Sequence, residues 1–305
     1  MISNLDPTAQ KFLADLNRVQ TRTNIAQGQI SSGFRIQTAS DAPDEIGSLL
    51  QLEADLSSNT QARANLSRAK AEADTGESVL GSAIQALDKA VQIGAQGAGI
   101  QTAQERAGLA QQIQNVQQQL VSLTGTSVEG RYIFSGSADS QPAYQLNLAN
   151  PNGVDRLVTT SATRQIQDTT GNSFPVARTA QDIFDHRNPD DTLAGDNVFA
   201  ALNSLRVALA ANDSTGITTA IDALHRSSAY LNDQQSFYGE TQDRLNTAIS
   251  TGQDRDTTLK SQISNIRDAD LTEASLTLNA GITQQQASLA ARAKTPVRSL
   301  FDFLA

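Results

Sequence analysis

Few side chains in this sequence could carry out chemistry. It has no cysteine, and its two histidines are His186 and His225. Transition metals in proteins bind mainly imidazole and thiolate ligands, and a serine nucleophile needs a base beside it. No serine lies in a G-x-S-x-G turn. We therefore interpret both histidines as ordinary surface or interface residues, and the sequence predicts no catalytic residue, no metal site and no cofactor.

Acidic residues are the other candidates for chemistry. Asp41, Asp44 and Glu45 stand beside Pro43, and such a group could bind calcium or transfer protons. Proline and acidic residues, however, favour the first turn of a helix, where the helix dipole is positive. These residues therefore predict the start of a helix rather than a reactive site.

A second acidic pair, Asp268 and Asp270, lacks the glycine and the terminal glutamate of a calcium loop. The pair interrupts a long helical pattern, and Arg35 and Arg267 are available as partners for its carboxylates. We interpret this region as a joint between two coaxial helices. The predicted joint residues are Gly33, Arg35, Asp41, Arg267, Asp268 and Asp270.

The elements that flank this joint carry apolar residues in a seven-residue repeat. The repeat runs from Leu5 to Gly33 and, more loosely, from Leu271 to Ser299. It places one narrow stripe along each helix, and each stripe needs a partner helix. A lone pair of such helices buries little apolar surface, so the terminal stripes are predicted to form an assembly interface. Its residues are Leu5, Phe12, Leu16, Val19, Ile30, Leu271, Leu278, Ile282, Leu289, Leu300 and Phe303.

Between the two ends, apolar residues recur first at helical spacing, then at strand spacing, and then at helical spacing again. Helices are expected at about 7–30, from Pro43 to the glycines at 94, 97 and 99, and at 103–128, 198–209 and 215–267. At 1.5 Å per residue the last of these would be about 80 Å long. After Gly130 the apolar period shortens to two, which is typical of strands. Short strands are expected at 132–134, 144–148, 157–160 and 164–167.

The sequence thus predicts a mainly α fold. Both chain termini would form a long antiparallel coiled-coil or helix-bundle rod, with a small β-rich insertion domain in the middle of the chain. The expected boundaries are 1–40 with 268–305 for the terminal coiled-coil segment, 41–130 with 179–267 for the helical rod domain, and 131–178 for the β-rich domain.

Composition excludes several classes of function. The net charge is −9 and the pI is about 4.7. Without clustered lysine and arginine, no nucleic acid partner is expected. No apolar run is long enough to span a bilayer, so no membrane insertion is expected. The first residues also lack the basic and apolar regions of a cleavable secretory signal.

Two stretches resemble the signatures of the flagellin superfamily. Residues 25–47 read IAQGQISSGFRIQTASDAPDEIG, and residues 260–293 read KSQISNIRDADLTEASLTLNAGITQQQASLAARA. The first is similar to the N-terminal signature of flagellins and the second to their C-terminal signature, in the right order. This likeness covers nearly the whole chain. It implies that the terminal helices form an inner coiled-coil tube and the rod helices an outer tube.

Two further stretches resemble the hook-associated proteins within that superfamily. Residues 130–144 read GRYIFSGSADSQPAY, as at the entry to the β domain of those proteins. Residues 297–305 read VRSLFDFLA, similar to their SLFDYL ending. The resemblance implies a non-enzymatic structural subunit of the bacterial flagellum that forms the junction ring between hook and filament.

The same resemblance implies partners and a location. The subunit would form a homo-oligomeric ring, with hook-associated protein 1 on the hook side and flagellin on the filament side. A cytoplasmic export chaperone would bind its C-terminal helix before export by the flagellar type III apparatus to the extracellular flagellum. A short flagellin is the alternative. A soluble coiled-coil signalling protein would explain neither the SSGFR and IRDAD elements nor the β insertion.

Overall fold

The computed structural model describes residues 7–294, and most of them are helical. The helices are α1 (Pro7–Ser32), α2 (Pro43–Ala98), α3 (Ala103–Thr124), α4 (Ala180–Phe184), α5 (Val198–Ala210), α6 (Ser214–Arg267) and α7 (Leu271–Ala293). The strands are β1 (Ser127–Val128), β2 (Arg131–Tyr132), β3 (Tyr144–Leu146), β4 (Val154–Arg156), β5 (Gln165–Gln167) and β6 (Ser173–Pro175). The predicted fold class, mainly α with long terminal helices and a small β insertion, is confirmed.

Side-chain caps determine where several helices begin. Before α3, the Thr102 hydroxyl accepts a hydrogen bond from the Glu105 amide, and the Glu105 carboxylate accepts one from the Thr102 amide. Before α7, Asp270 Oδ1 accepts from the amides of Thr272 and Glu273, at 2.8 and 3.1 Å. Both arrangements satisfy amides that a helix start leaves unpaired.

The chain divides into two compact units. The first comprises Met1–Ser58 with Arg255–Ala305, and the second comprises Asn59–Asp254. Both α2 and α6 contribute residues to each unit. Among the described residues, those near the two ends of the chain therefore pack with each other, and the middle of the chain forms the larger unit.

The larger unit has a core of large side chains. Phe134, Phe184, Phe199 and Tyr238 are each at most 2% exposed. The ring of Phe134 meets that of Phe184 edge-on, with 5.9 Å between the ring centroids. Branched residues of α2, α3, α5 and α6 complete this core.

A buried carboxylate lies beside this core. Asp185 is fully buried, and it accepts hydrogen bonds from the Tyr144 hydroxyl, the amide nitrogens of Asn152 and Asn197, and Arg187 Nε, at distances of 2.8–3.1 Å. A buried charge is tolerated only when it is paired and hydrogen-bonded, and this one has four donors. Burial, with the neighbouring Asp185 charge, raises the pKa of the Tyr144 hydroxyl, which keeps that donor protonated.

The β-rich segment differs in detail from the expectation. It contains three separate antiparallel pairs, β1–β2, β3–β4 and β5–β6. The predicted strand at 157–160 is wrong, since β4 at Val154–Arg156 pairs with β3 instead. Phe134 also lies outside any strand, and its side chain enters the core of the larger unit. Strands of two or three residues are too short for a period of two to define them.

Two of the glycines expected to end α2 lie within it. The helix continues through Gly94 and Gly97 to Ala98. A Cβ on Gly94 would lie 2.9 Å from Ile221 Cγ1, and one on Gly97 would collide with the Leu209 side chain. These glycines allow close packing of α2 against its neighbours rather than a break in the helix.

Candidate assembly site

Helices α1 and α7, here called the terminal pair, pack against each other in opposite directions. Gln285 Nε2 donates to Gln20 Oε1 at 2.9 Å. Further along, the Arg292 guanidinium lies 5.7 Å from the centre of the Phe12 ring. Residues late in α7 therefore meet residues early in α1, so the pair is antiparallel.

Small side chains line the contact between the two helices. This seam consists of Val19, Thr23 and Ala26 on α1, and Ala274 and Gly281 on α7, all of them buried. A Cβ added at Gly281 would collide with Thr23 Oγ1. Thr23 Oγ1 is held in place because it donates to the Val19 carbonyl at 2.9 Å. The helices thus approach closely but bury little apolar surface.

The larger apolar side chains of α7 lie beside the seam rather than in it. At about 100° per residue, Leu271, Leu278, Ile282 and Leu289 fall within about 40° of arc on the helix surface, and the seam residues fall roughly 70° away. Leu271 is 51% exposed, Ile282 41% and Leu289 50%, whereas Leu278 is half-buried. We call these four residues the open stripe. The seven-residue repeat did not separate it from the seam, although a finer angular plot of the sequence would have done so.

The predicted interface residues of α1 are divided in a similar way. Val19 is 8% exposed and belongs to the seam, so it serves contact within the chain. Phe12 and Leu16 are half-buried, and Ile30 is 36% exposed. The predicted interface residues Leu5, Leu300 and Phe303 lie outside the described residues.

The joint is the loop between α1 and α2 together with the turn between α6 and α7. The Ala269 amide donates to the Gly33 carbonyl at 2.9 Å, and the Arg35 amide donates to the Arg267 carbonyl at 2.7 Å. Gly33 has a φ of +77°, a conformation that favours glycine and ends α1. The two chain segments are thus tied together by their backbones.

The two arginines of the joint make further contacts. The Arg35 guanidinium donates to the Ile266 carbonyl at 2.6 Å and forms an ion pair with Glu45. The Arg267 guanidinium lies 4.2 Å above the ring of Phe34. Arg35 therefore links the start of α2 to the end of α6, and Arg267 covers a partly exposed aromatic ring.

The three predicted acidic residues of the joint have different roles. Asp41 does not cap α2, since its carboxylate accepts from the amides of Gln37 and Thr38 and so closes the preceding turn. These hydrogen bonds, chiefly the one from Thr38, lower the pKa of Asp41. Asp268 accepts from the Ser264 hydroxyl at 2.6 Å, and Asp270 caps α7. All the predicted joint residues lie at this joint.

A small apolar cluster under the joint was not predicted. Ile36, Leu49 and Ile263 are each at most 5% exposed, and they pack together with partly buried neighbours on α2 and α6. Ile36 lies in a short polar loop with no periodicity, so no sequence pattern indicates its burial. The cluster means that packing as well as hydrogen bonding holds the joint.

The histidines, by contrast, lie outside any site of this kind. His225 is exposed. His186 Nδ1 lies 2.7 Å from a carboxylate oxygen of Asp196, and its ring stacks on that of Tyr230 at 4.6 Å between centroids. Within residues 7–294, no three histidine or acidic residues come together as metal ligands. None of the described helices is long and apolar enough to cross a membrane.

Family models match both ends of the chain. Residues 4–139 match the bacterial flagellin N-terminal helical region, and residues 219–304 match the bacterial flagellin C-terminal helical region. Together these matches cover well over half of the sequence. The chain belongs to the flagellin family.

Solved structures of flagellar proteins share the fold. A hook-associated protein of Vibrio parahaemolyticus aligns with a TM-score of 0.64 at 19% identity, covering 75% of this chain and 100% of that one. Hook-associated protein 3 of Legionella pneumophila aligns with a TM-score of 0.59 at 14% identity, covering 72% of this chain and 98% of that one. FlgL of Bacillus cereus aligns with a TM-score of 0.56 at 16% identity, covering 72% of this chain and 100% of that one. No curated protein sequence matches significantly.

Proposed function

We propose that this chain is a structural subunit of the bacterial flagellum and forms the junction ring between hook and filament. The observation that carries the proposal is the open stripe of α7, a row of leucine and isoleucine side chains, three of the four exposed, in a flagellin-family fold. Hook-associated proteins are prominent among the solved structures with this fold. Residues 130–144 and 297–305 of this chain resemble the corresponding stretches of hook-associated proteins, and this resemblance adds support.

The open stripe suits contact with a second copy of the chain. Its flanking positions on α7 include Ser275, Asn279 and Gln286, which carry no charge. Charged flanking residues usually decide which helices pair, and identical charges would repel one another in a homo-oligomer. An uncharged border therefore permits identical subunits to associate. On this proposal, residues 1–40 and 268–305 are the assembly segment.

The proposed partners follow from the place of the ring. Hook-associated protein 1 would bind on the hook side and flagellin on the filament side. An exposed apolar row is also an aggregation hazard before assembly, which is a reason for a cytoplasmic chaperone to cover α7 until export. We propose export by the flagellar type III apparatus, an extracellular location and no enzymatic role.

Deletion of the gene tests the proposal directly. Cells that lack it are expected to make intact hooks but to shed or lack filaments, and to secrete flagellin into the medium. Expression of the wild-type chain from a plasmid should restore filaments and serves as the control. Normal filaments in the deletion strain would contradict a junction role.

A short flagellin is the second candidate, because the matching family models describe the helical regions of flagellin itself. Purified chain can be salted out under conditions that polymerise flagellin. A junction subunit should not form micrometre-long filaments alone. Long, regular, self-propagating filaments would favour the flagellin role.

A further inference from the structure

One turn of the larger unit contains a dipeptide that is prone to chemical change. Asn152 is followed by Gly153 in the turn between β3 and β4, and this is the one Asn–Gly dipeptide in the sequence. Asparagine is a thermolabile residue, and glycine has no side chain that would hinder attack by its own backbone nitrogen. An unfolded chain is therefore expected to lose ammonia at this position.

The reaction needs only water as a co-reactant. The amide nitrogen of Gly153 gives its proton to the solvent and attacks the side-chain carbonyl carbon of Asn152. Ammonia leaves as a cyclic imide closes, and water then opens the ring at either of its carbonyl groups. The product is aspartate or isoaspartate, and in isoaspartate the main chain runs through the former side chain. Either product carries a carboxylate in place of the neutral amide, and this carboxylate is ionised at neutral pH.

The fold restrains the groups that this reaction uses. The Gly153 amide donates to the Asn150 carbonyl at 2.9 Å. The Asn152 side chain is 5% exposed, its nitrogen donates to Asp185 Oδ1 at 3.1 Å, and its oxygen accepts from the Val154 amide at 3.4 Å. The attack must break these hydrogen bonds, so it requires local opening of the turn.

The product does not fit the folded site. A carboxylate at residue 152 would face the carboxylate of Asp185, which is fully buried. Two carboxylates that share a site cannot both stay ionised without a large cost, and the hydrogen bond from Asn152 to Asp185 is lost at the same time. Arg187 Nε donates to the other oxygen of Asp185, so it does not separate the two charges. The native contacts and modification at Asn152 therefore exclude each other.

We infer that Asn152 is a deamidation site controlled by folding: it reacts in the unfolded chain, the native turn protects it, and the modified chain no longer folds normally. This chemistry is independent of the junction role. A chain that waits unfolded, as before the proposed export, is exposed to the reaction, whereas a folded subunit is protected.

Peptide mapping tests where and when the reaction occurs. The full chain is incubated at mildly alkaline pH, once folded and once in guanidinium chloride, and is then cut with trypsin. A single tryptic peptide contains Asn147, Asn150 and Asn152, so it provides its own controls. The side chain of Leu148 hinders attack on Asn147, and Pro151 has no amide hydrogen to lose, which blocks the same reaction at Asn150.

Conversion is expected at Asn152 in the unfolded chain. In the folded chain it should be at least about tenfold slower, because opening of the turn costs free energy. Asn147 and Asn150 should remain unmodified in both samples. Equal rates at Asn152 in the folded and unfolded chains would overturn the protection, and conversion of Asn147 as fast as that of Asn152 would overturn the assignment of the site.

Refolding tests the consequence of the modification. A chain that is partly modified in guanidinium chloride is diluted into buffer, and folded protein is separated from misfolded protein by size-exclusion chromatography. Peptide mapping of both fractions should find modified Asn152 severalfold depleted from the folded protein. An equal share of modified chain in the two fractions would overturn the inference.

Substitutions provide an independent check. Asn152→Asp should lower the melting temperature by about 5 °C or more at neutral pH, whereas Asn65→Asp, at an exposed position of α2, should change it by no more than about 1 °C. In Asn152→Asp with Asp185→Asn, an amide again faces a carboxylate, so the two changes together should cost less than the sum of their separate effects. Additive effects, or a normal melting temperature for Asn152→Asp, would overturn the conflict between the two carboxylates.

Discussion

The larger unit and the terminal pair bury side chains of very different size. The larger unit encloses Phe134, Phe184, Phe199 and Tyr238 together with many leucines and isoleucines. The seam of the terminal pair encloses one valine, one threonine, two alanines and one glycine. Burial of a leucine or phenylalanine contributes about 1.5–3 kcal/mol to the free energy of unfolding. Smaller side chains contribute less, because they remove less apolar area from water.

This difference separates stability from assembly. The larger unit buries most of the large apolar side chains, whereas the terminal pair gains little from its seam. The pair keeps its larger apolar residues on the outside, where a neighbouring copy can cover them. We therefore expect substitutions in the larger unit to affect folding, and substitutions on the open stripe to affect assembly.

The largest effect is expected for Leu245→Asp in the larger unit. Leu245 is fully buried, and a carboxylate there would have no partner. The cost is several kcal/mol, which should lower the melting temperature by about 10 °C or more, or prevent folding. Circular dichroism during heating provides the measurement. Leu224→Asp, at another fully buried position of α6, should behave in the same way, and an unchanged melting temperature would contradict the comparison.

The second effect is functional rather than structural. Leu289 is 50% exposed on the open stripe, so Leu289→Asp should leave the melting temperature within about 1 °C, as is usual for surface substitutions. Assembly would bury that carboxylate, so cells carrying the variant should lose motility. Leu276 provides a matched control, since it is 67% exposed on the same helix but lies about 140° from the stripe.

Soft-agar swimming and thermal melting distinguish the possible results for this pair of variants. Leu276→Asp cells are expected to swim normally. If Leu289→Asp cells swim as well, the open stripe is not an assembly surface. If Leu289→Asp melts as early as Leu245→Asp, α7 belongs to the stable core and the division between the two regions is wrong.

The sequence predicted the helices better than the contacts between them. The breaks at Gly33 and at residues 268–270 were visible from glycine and from helix-capping acids, because these are local effects. The division of α7 into seam and open stripe was missed. A strict seven-residue repeat groups Ala274 with Leu278, but α1 packs on the side where Ala274 and Gly281 allow the backbones to approach.

Polar residues far apart in the sequence were the least predictable. The four donors around Asp185 come from three separate segments, so no local pattern announces the burial of this carboxylate. The link between Arg35 and Glu45 was also not foreseen, since the carboxylates at 268 and 270 were expected as partners. Only the folded chain shows which of these charges meet.

A smaller effect is expected when the seam is enlarged. Gly281→Ala would collide with Thr23 Oγ1, and overpacking of this kind usually costs about 1–3 kcal/mol. Hydrogen exchange of α1 and α7 should accelerate, while the melting of the larger unit should not change. Thr23→Ala removes the colliding oxygen and leaves Cβ 3.5 Å from the new methyl group. The double variant should therefore recover protection, and no recovery would show that the seam does not determine the pairing.

The smallest effect is expected at Asp270, whose carboxylate caps α7. Hydrogen bonds from the amides of Glu273 and Thr272 lower the pKa of Asp270. Because the folded-state pKa lies below the unfolded-state value, the stabilisation is complete above the unfolded-state pKa and is lost as the pH falls through the folded-state pKa. Asp270→Asn keeps an oxygen acceptor that does not titrate, so the start of α7 should stay protected at both neutral and acidic pH. Asp270→Ala should lose that protection at either pH. Protection factors from hydrogen exchange at the first turn of α7 provide the measurement. An equal response of the wild-type chain and both variants to acid would show that this cap has no part in holding the terminal pair.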